Sequence, residues 1–260
     1  MPQAESVILT TSDGIRLSAS YYSCPTPQGA YVLCHGFTGS ASTRPIVSIS
    51  RQLNAAGNVV LAFDARGHGR SEGACSLGET EIRDVAAAVG HLRARHPALP
   101  VVLIGFSMGA STVLRYAGLG GDADAVVAVS GPAFWWERST RPMRLVEWAA
   151  TTASGRSVAR LVKGVRIGPG WRREPEQPVD VVGAITRPLL IVHGERDHYF
   201  PLRHPRALAA AAPHATCWLE SGMGHAEHAT TPELVGRIER WARTAASSPA
   251  QPSAAPQPSG

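Results

Sequence analysis

Long hydrophobic runs are missing from this chain. No segment approaches the roughly 18 consecutive apolar residues that a membrane-spanning helix requires. The first residues, Met1–Val7, also lack the basic region followed by an apolar stretch that marks a secretory signal. We therefore expect a protein without a membrane span, made without an export signal and located in the cytoplasm.

Cysteine is scarce, and its spacing excludes two common uses. The chain has four cysteines, with no CxxC pair and no histidines at zinc-finger distance, so neither a disulfide framework nor a zinc site is predicted. The pair His225 and His228 offers metal-ligand side chains, but no third ligand at a suitable spacing accompanies it. We expect no bound metal, reduced thiols, and a buried apolar role for Cys34.

The net charge of +5 has a local origin. Between Glu137 and Glu176 the chain carries nine basic and four acidic residues, whereas the remainder is formally neutral. A positive surface that attracts an anionic partner is therefore expected only in this segment. With 260 residues, 44% of them hydrophobic, the chain has enough material for one large α/β domain or two small ones, which excludes global disorder.

Apolar runs alternate with helical patterns along most of the chain. The β-prone segments Ser6–Thr11 and Ile15–Tyr22 flank Asp13-Gly14, which predicts an opening antiparallel pair. Six short apolar runs follow: Ala30–Cys34, Asn58–Phe63, Val101–Phe106, Ala125–Ser130, Pro188–Val192 and Thr216–Leu219. Helical patterns follow several of them, at Glu79–Arg95, Met108–Tyr116, Pro205–Ala211 and Glu233–Thr244. This alternation predicts a mostly parallel central sheet flanked by helices.

The alternation breaks once, after Gly131-Pro132. About fifty residues without a clear strand follow, and they hold the charge excess and four of the six tryptophans. We interpret residues 132–184 as a cap insertion in a domain spanning residues 1–246. Residues 247–260 are rich in Pro, Ser and Ala and have no core-forming residues, which predicts a disordered tail.

One motif has the setting that nucleophilic catalysis needs. Gly105-Phe106-Ser107-Met108-Gly109 follows a predicted strand and opens a predicted helix, which is the context of a nucleophile elbow. Such a turn presses the residues two before and two after the serine together, so both must be glycine, and it holds the serine at a strained backbone conformation.

A serine nucleophile also needs a base and a group that orients the base. Asp197 and His225 each follow a later predicted strand, in the chain order Ser, Asp, His. Glu195 competes with Asp197 for the acidic role, and His228 competes with His225 for the role of base. On the residues alone, both choices stay open.

Together these motifs resemble those of the α/β-hydrolase superfamily. Two further loops agree: His35-Gly36-Phe37-Thr38-Gly39 is similar to the loop of bacterial carboxylesterases, including the feruloyl-esterase-like group, and residues 64–71 read Asp-Ala-Arg-Gly-His-Gly-Arg-Ser. The resemblance spans about residues 5–245. It implies an α/β-hydrolase fold, a structural turn at Asp64 and Arg66, and a reaction that needs no cofactor.

The resemblance also implies roles for single residues. Ser107 would be the nucleophile, His225 the general base and then acid, and Asp197 its orienting carboxylate. The backbone N–H groups of Phe37 and Met108 would form the oxyanion hole.

The predicted function is hydrolysis of a small-molecule carboxylic ester through an acyl-enzyme. A thioesterase or acyltransferase acting on acyl carriers, or a peptidase, uses the same intermediate, and a basic cap would suit the anionic arm of coenzyme A. Relatives with an aspartate nucleophile are disfavoured because Ser107 occupies the elbow. A non-catalytic protein that binds nucleic acid or a lipid surface through the basic cap is the alternative of another class, and no nucleic-acid partner is expected.

The cap supplies candidate substrate-binding residues. Trp135, Trp136 and Trp148 offer large apolar areas, as does Phe134, and Tyr199 lies close to the acidic residue in sequence. We hypothesise that the aromatic side chains wall an acyl or aryl pocket while cap arginines attract anionic substrates. In the alternative, the aromatic residues only pack the cap onto the sheet and the arginines face solvent.

Overall fold

The computed structural model describes residues 4–171 and 173–247. Its eight strands, in chain order, are β1 (Glu5–Thr10), β2 (Arg16–Tyr22), β3 (Ala30–Cys34), β4 (Val59–Phe63), β5 (Val101–Phe106), β6 (Ala125–Val129), β7 (Leu189–Gly194) and β8 (Thr216–Glu220). The eight α-helices are α1 (Arg44–Ala55), α2 (Ile82–Arg95), α3 (Met108–Gly118), α4 (Arg141–Thr151), α5 (Ala153–Lys163), α6 (Pro178–Val181), α7 (Arg203–Ala211) and α8 (Pro232–Ala246). Apart from Ser247, the predicted tail lies outside the described residues.

The strands form one sheet in the order β1-β2-β4-β3-β5-β6-β7-β8. β1 pairs antiparallel with β2, and β2 pairs antiparallel with β4, while all remaining neighbours are parallel. The sequence-based prediction of an antiparallel opening and a mostly parallel sheet is therefore confirmed. Every residue of β3, β4, β5, β6 and β7 is buried, as expected for strands covered on both faces.

Helices cover both faces of the sheet and create two apolar layers. Buried side chains of α2, α3 and α7 belong to one layer, and those of α1 and α8 belong to the other. Within the described ranges, no helix is long and apolar enough to cross a membrane.

The segment between β6 and β7 contains two helices in close succession. Thr152 separates α4 from α5, and its hydroxyl oxygen accepts a hydrogen bond from Gly155 N–H at 3.0 Å, which caps α5. Gly164, at φ +68°, ends that helix in the left-handed conformation that glycine adopts at low cost. The pair α4 and α5 borders the cavity described below.

Candidate active site

The candidate site lies at the carboxyl ends of the parallel strands. Ser107 follows β5, Asp197 follows β7 and His225 lies on the loop after β8. Since β5, β6, β7 and β8 are successive neighbours in the sheet, the loops that leave them lie along one edge. Side chains far apart in sequence are thereby brought together, as is usual in open α/β sheets.

Ser107 sits on a strained turn between β5 and α3. Its φ of +52° and ψ of −111° are unusual for a residue with a side chain, and its N–H donates to Val129 O at 2.9 Å. A Cβ added to Gly105 would lie 2.2 Å from Gly109 O. Gly105 is therefore required by the close approach of β5 and α3, and a Cβ on Gly109 would lie 2.2 Å from Cys34 O at the end of β3.

Ser107, His225 and Asp197 form a continuous series of hydrogen bonds. His225 Nδ1 lies 2.7 Å from Asp197 Oδ2, and His225 Nε2 lies 2.9 Å from Ser107 Oγ. A carboxylate accepts only, so Nδ1 carries the proton and donates it to Asp197. Nε2 of the neutral ring then accepts from the Ser107 hydroxyl, which is the geometry that a general base requires.

Asp197 is held as an ionised group. Its side chain is fully buried, and Oδ1 accepts hydrogen bonds from the N–H groups of Tyr199 and Phe200 at 2.8 and 3.0 Å. Burial favours the neutral acid, but the hydrogen bonds from His225 and Phe200 and the positive charge of a protonated His225 outweigh it, so the pKa of Asp197 lies below its ordinary value. The carboxylate therefore stays charged throughout the pH range in which histidines titrate.

Neither competing residue, Glu195 or His228, makes a hydrogen bond in this series. Glu195 is exposed and directly follows β7. Its backbone N–H donates a hydrogen bond to Glu220 O. His228 is also exposed and contributes to the cavity wall. The hydrogen bonds to Ser107 and Asp197 are made by His225.

Aromatic rings fix the orientation of His225. The Tyr199 ring stacks on the imidazole with 4.2 Å between centroids and 26° between planes, and the Phe200 ring approaches it at 5.6 Å. Tyr199, predicted as a pocket residue, thus contacts the candidate base and also lines the cavity.

Two backbone N–H groups near Ser107 have no partner in the described part of the chain. These are the groups of Phe37, in the loop after β3, and of Met108, the first residue of α3. Met108 lies at a helix N-terminus, where unpaired N–H groups and the helix dipole favour negative charge. Both residues line the same cavity as Ser107.

That cavity has a volume of about 610 Å³ and is mostly apolar. Trp135, Trp136 and Trp148, the three tryptophans proposed from the sequence, all line it. Phe134 does not, because its ring packs against His204 at 5.5 Å. Further apolar lining comes from the two helices α4 and α5 and from neighbouring loops: Leu77, Pro142, Met143, Val146, Ala149, Val158, Ala159, Val162 and Trp171.

Trp171 is a lining residue that the sequence analysis did not single out. Its ring lies 5.3 Å from that of Trp135 and 5.2 Å from that of Trp136, and its Nε1–H donates to Ser76 O. In the sequence, Trp171 belongs to the tryptophan-rich segment after β6, but the sequence does not show which of these rings contact one another.

Few of the described basic residues between Glu137 and Glu176 lie at the cavity. Among the described residues, Lys163 is the one lysine or arginine in the cavity wall. Arg138 pairs with Glu147 at 2.6 Å, and the partly buried Arg166 guanidinium donates to the backbone oxygens of Ser71 and Gly73. In the described part of the chain, no group of three or more His, Cys, Asp or Glu is arranged to hold a metal ion.

These features define the α/β-hydrolase fold. The sheet is mostly parallel, the serine lies on a strained strand-to-helix turn, and the aspartate and histidine lie on later loops. Residues 25–177, more than half of the chain, match the family described as Serine aminopeptidase, S33. The chain belongs to that family.

The chain is also similar to a named protein and, in its fold, to solved structures. The chain is 28% identical to the monoacylglycerol lipase of Mycolicibacterium smegmatis over 75% of this chain and 80% of that protein. Its fold is similar to that of esterase Pf2001 from Pyrococcus furiosus, with a TM-score of 0.73, 22% identity and coverage of 93% and 92%. Est1E from Butyrivibrio proteoclasticus, solved with ferulic acid, aligns with a TM-score of 0.63, 20% identity and coverage of 92% and 96%. The chain is thus a hydrolase, similar to esterases and lipases.

Proposed function

We propose that this enzyme hydrolyses carboxylic esters of small molecules through an acyl-enzyme formed on Ser107. The observation that carries the proposal is the hydrogen-bonded series Ser107, His225 and Asp197, of which Ser107 and His225 line an apolar cavity. A serine is a weak nucleophile until a neighbouring base removes its proton, and that series supplies both a base and a carboxylate that fixes its tautomer.

The reaction proceeds in two halves. Ser107 Oγ attacks the ester carbonyl while its proton passes to His225 Nε2, and Asp197 stabilises the resulting imidazolium. The tetrahedral oxyanion accepts hydrogen bonds from the N–H groups of Phe37 and Met108. Collapse of this intermediate breaks the carbon–oxygen bond of the ester, and His225 gives its proton to the departing alcohol. Water, activated by His225, then releases the acid from Ser107.

The apolar cavity supports the proposal that this enzyme recognises an apolar acyl or aryl group of its substrate. Its wall is formed mainly by aromatic and aliphatic side chains from the cap, which bind such groups by removing apolar surface from water. The similarity to a monoacylglycerol lipase supports lipid-like esters among the candidates. A thioesterase would require sites for an anionic carrier arm, and Lys163 is the one cation that the described cavity wall offers.

The test is a panel of p-nitrophenyl esters of increasing acyl length, with phenolic esters, a monoacylglycerol and acyl-CoA in parallel. We expect kcat/KM to rise with acyl length for the neutral esters and to stay low for acyl-CoA. Ser107→Ala should keep the thermal midpoint of the wild type, lose several orders of magnitude in turnover, and no longer be labelled by an active-site phosphonate. Near wild-type turnover by this variant would refute the mechanism, and a preference for acyl-CoA would replace the ester by a thioester.

A further inference from the structure

A buried carboxylate lies beside the site and has no role in the mechanism above. Glu227, two residues after His225, is only 5% exposed. Its Oε1 accepts a hydrogen bond from Gly36 N–H at 3.1 Å, although 191 residues separate the two in sequence. Ala226, at φ +53°, turns the chain directly after His225, and its N–H donates to Ser130 Oγ at 3.0 Å. This turn directs Glu227 back towards the loop that follows β3.

The carboxylate, Gly36 and the serine are in direct proximity. A Cβ added to Gly36 would lie 3.1 Å from both carboxylate oxygens of Glu227 and 3.3 Å from Ser107 Cβ. Gly36 therefore adjoins both Glu227 and Ser107. The next residue along the chain is Phe37, whose N–H is one of the two proposed oxyanion donors.

The other side of Gly36 is fixed as well. His35 Nε2 accepts from Ala65 N–H at 3.0 Å, and burial lowers the pKa of His35, so the neutral ring has its proton on Nδ1. Nδ1–H donates to Gly36 O at 2.8 Å, and Gly39 N–H donates to the same oxygen at 2.9 Å. Gly36 C=O and Phe37 N–H belong to one planar trans peptide and point in opposite directions. Anchoring the carbonyl thus also sets the direction of the Phe37 N–H.

We propose that Glu227 is a positioning residue that holds the oxyanion loop in register with the serine and the base. It does so by accepting the Gly36 N–H, which fixes the peptide preceding the one that carries the Phe37 N–H. Because Glu227 is also tied to His225 through two peptide bonds, a single side chain links the base loop to the oxyanion loop. The inference rests on the proposed function, since it assigns the purpose of that link to stabilising the oxyanion on Ser107.

Two conservative variants separate the hydrogen bond from the charge. Glu227→Gln keeps an oxygen at the same reach and loses the charge, whereas Glu227→Asp keeps the charge and withdraws the oxygens by one methylene. If position is what matters, Glu227→Asp should lose about 10- to 100-fold in kcat with KM little changed, because sub-ångström to 1 Å misplacement has effects of this order. Glu227→Gln should stay within a few-fold of the wild type.

The readouts distinguish positioning from mere support of the fold. Affinity for a trifluoromethyl ketone, whose serine adduct carries an oxyanion, should fall in Glu227→Asp by about the factor lost in kcat. In Glu227→Asp, the midpoint of the pH profile of kcat/KM should stay at its wild-type value. Glu239→Gln is the matched control: Glu239 is a buried glutamate remote from the cavity that accepts from Asn58 Nδ2 at 3.3 Å, and its variant should change the thermal midpoint without changing kcat.

Several results would overturn the inference. Wild-type kcat in Glu227→Asp, a loss in Glu227→Gln equal to or larger than that in Glu227→Asp, or a shifted pH midpoint would assign another role to the carboxylate. Ser107→Ala, assayed in parallel, keeps the two proposals apart. If Ser107→Ala is inactive while Glu227→Asp behaves as the wild type, the positioning role alone fails; if Ser107→Ala stays active, the proposed function fails first.

Discussion

Adding one methyl group at Gly109 should disrupt the proposed oxyanion hole without touching any of the side chains proposed to react. Gly109 is the second residue of α3, and its Cα faces the end of β3. A Cβ there would lie 2.2 Å from Cys34 O, 2.6 Å from Cys34 C and 2.8 Å from His35 O. All three atoms belong to the backbone, so no side-chain rotation relieves the contact.

The size of the effect follows from these distances. Real Cβ atoms essentially never approach a heavy atom closer than 3.0 Å, so α3 and the end of β3 must separate by at least about 0.8 Å in Gly109→Ala. The Met108 N–H moves with the helix and the Phe37 N–H with the loop after β3, so the two donors no longer converge on one oxygen. Displacement on this scale, or loss of one donor, costs about 10²-fold in kcat. Overpacking should also lower the free energy of unfolding by about 1–3 kcal/mol.

The measurement is kcat/KM for a neutral p-nitrophenyl ester, at a temperature where the thermal midpoint shows the variant to be folded. Gly90→Ala is the control, because Gly90 is an exposed residue of α2 with no atom within 4 Å of the added Cβ. That variant should keep full activity and gain about 0.5–1 kcal/mol in stability. A folded Gly109→Ala enzyme with wild-type kcat/KM would refute the reasoning.

Three other perturbations test separate parts of the molecule. Asp197→Asn should lose about 10⁴-fold in kcat by favouring the wrong tautomer of the base, while Glu195→Gln should do much less; similar losses from both would move or divide the acidic role. For an anionic ester, kcat/KM should fall as ionic strength rises from about 0.01 to 0.15 M, since the screening length shrinks from roughly 30 to 8 Å. For a matched neutral ester, kcat/KM should barely change, and equal responses of the two esters would refute steering by the basic residues of the cap. Burial of Glu137 opposes its ionisation, but hydrogen bonds from Ser139, His204 and Arg203 outweigh this effect and lower its pKa from 4.5 to about 2. The stability that Glu137 contributes above pH 4.5 should therefore be lost as the pH falls towards 2. Glu137→Gln should weaken this pH dependence of the urea midpoint, and an unchanged pH dependence would contradict the prediction.

The parts of the fold that the sequence predicted are those with a local signal. The apolar runs mark β3 to β7 because strands buried on both faces need no polar residues. The elbow was visible because its Gly-x-Ser-x-Gly pattern lies within five residues, and a Cβ on Gly105 would meet Gly109 inside that stretch. The second glycine is required by the distant backbone of Cys34 and His35, which the motif itself does not show. Helix α1 also has a local signal, which the sequence analysis did not single out: Pro45 in its first turn and the periodic Ile46, Ile49 and Leu53.

The parts that escaped prediction depend on contacts between distant segments. Nothing near Glu227 in sequence indicates that its carboxylate reaches Gly36, because that contact exists only once β3 and the loop after β8 share one sheet edge. The same holds for Phe134, whose ring packs on His204 instead of facing the cavity. The charge excess between Glu137 and Glu176 is visible in the sequence, but counting charges does not distinguish Arg138, paired with Glu147, from Lys163 in the cavity wall.

Chemistry and substrate recognition occupy different parts of this chain. The groups proposed to react lie on loops whose ends are fixed by fully buried strands, and the Asp197 carboxylate is itself buried and held by three hydrogen bonds. The apolar wall of the cavity comes largely from α4, α5 and the adjoining loops between β6 and β7, whose described residues contribute no strand to the sheet. Because substitutions there leave the sheet edge unchanged, they should alter which acyl groups are accepted, and hence KM and relative kcat/KM, while the dependence of the rate on Ser107, His225 and Asp197 persists.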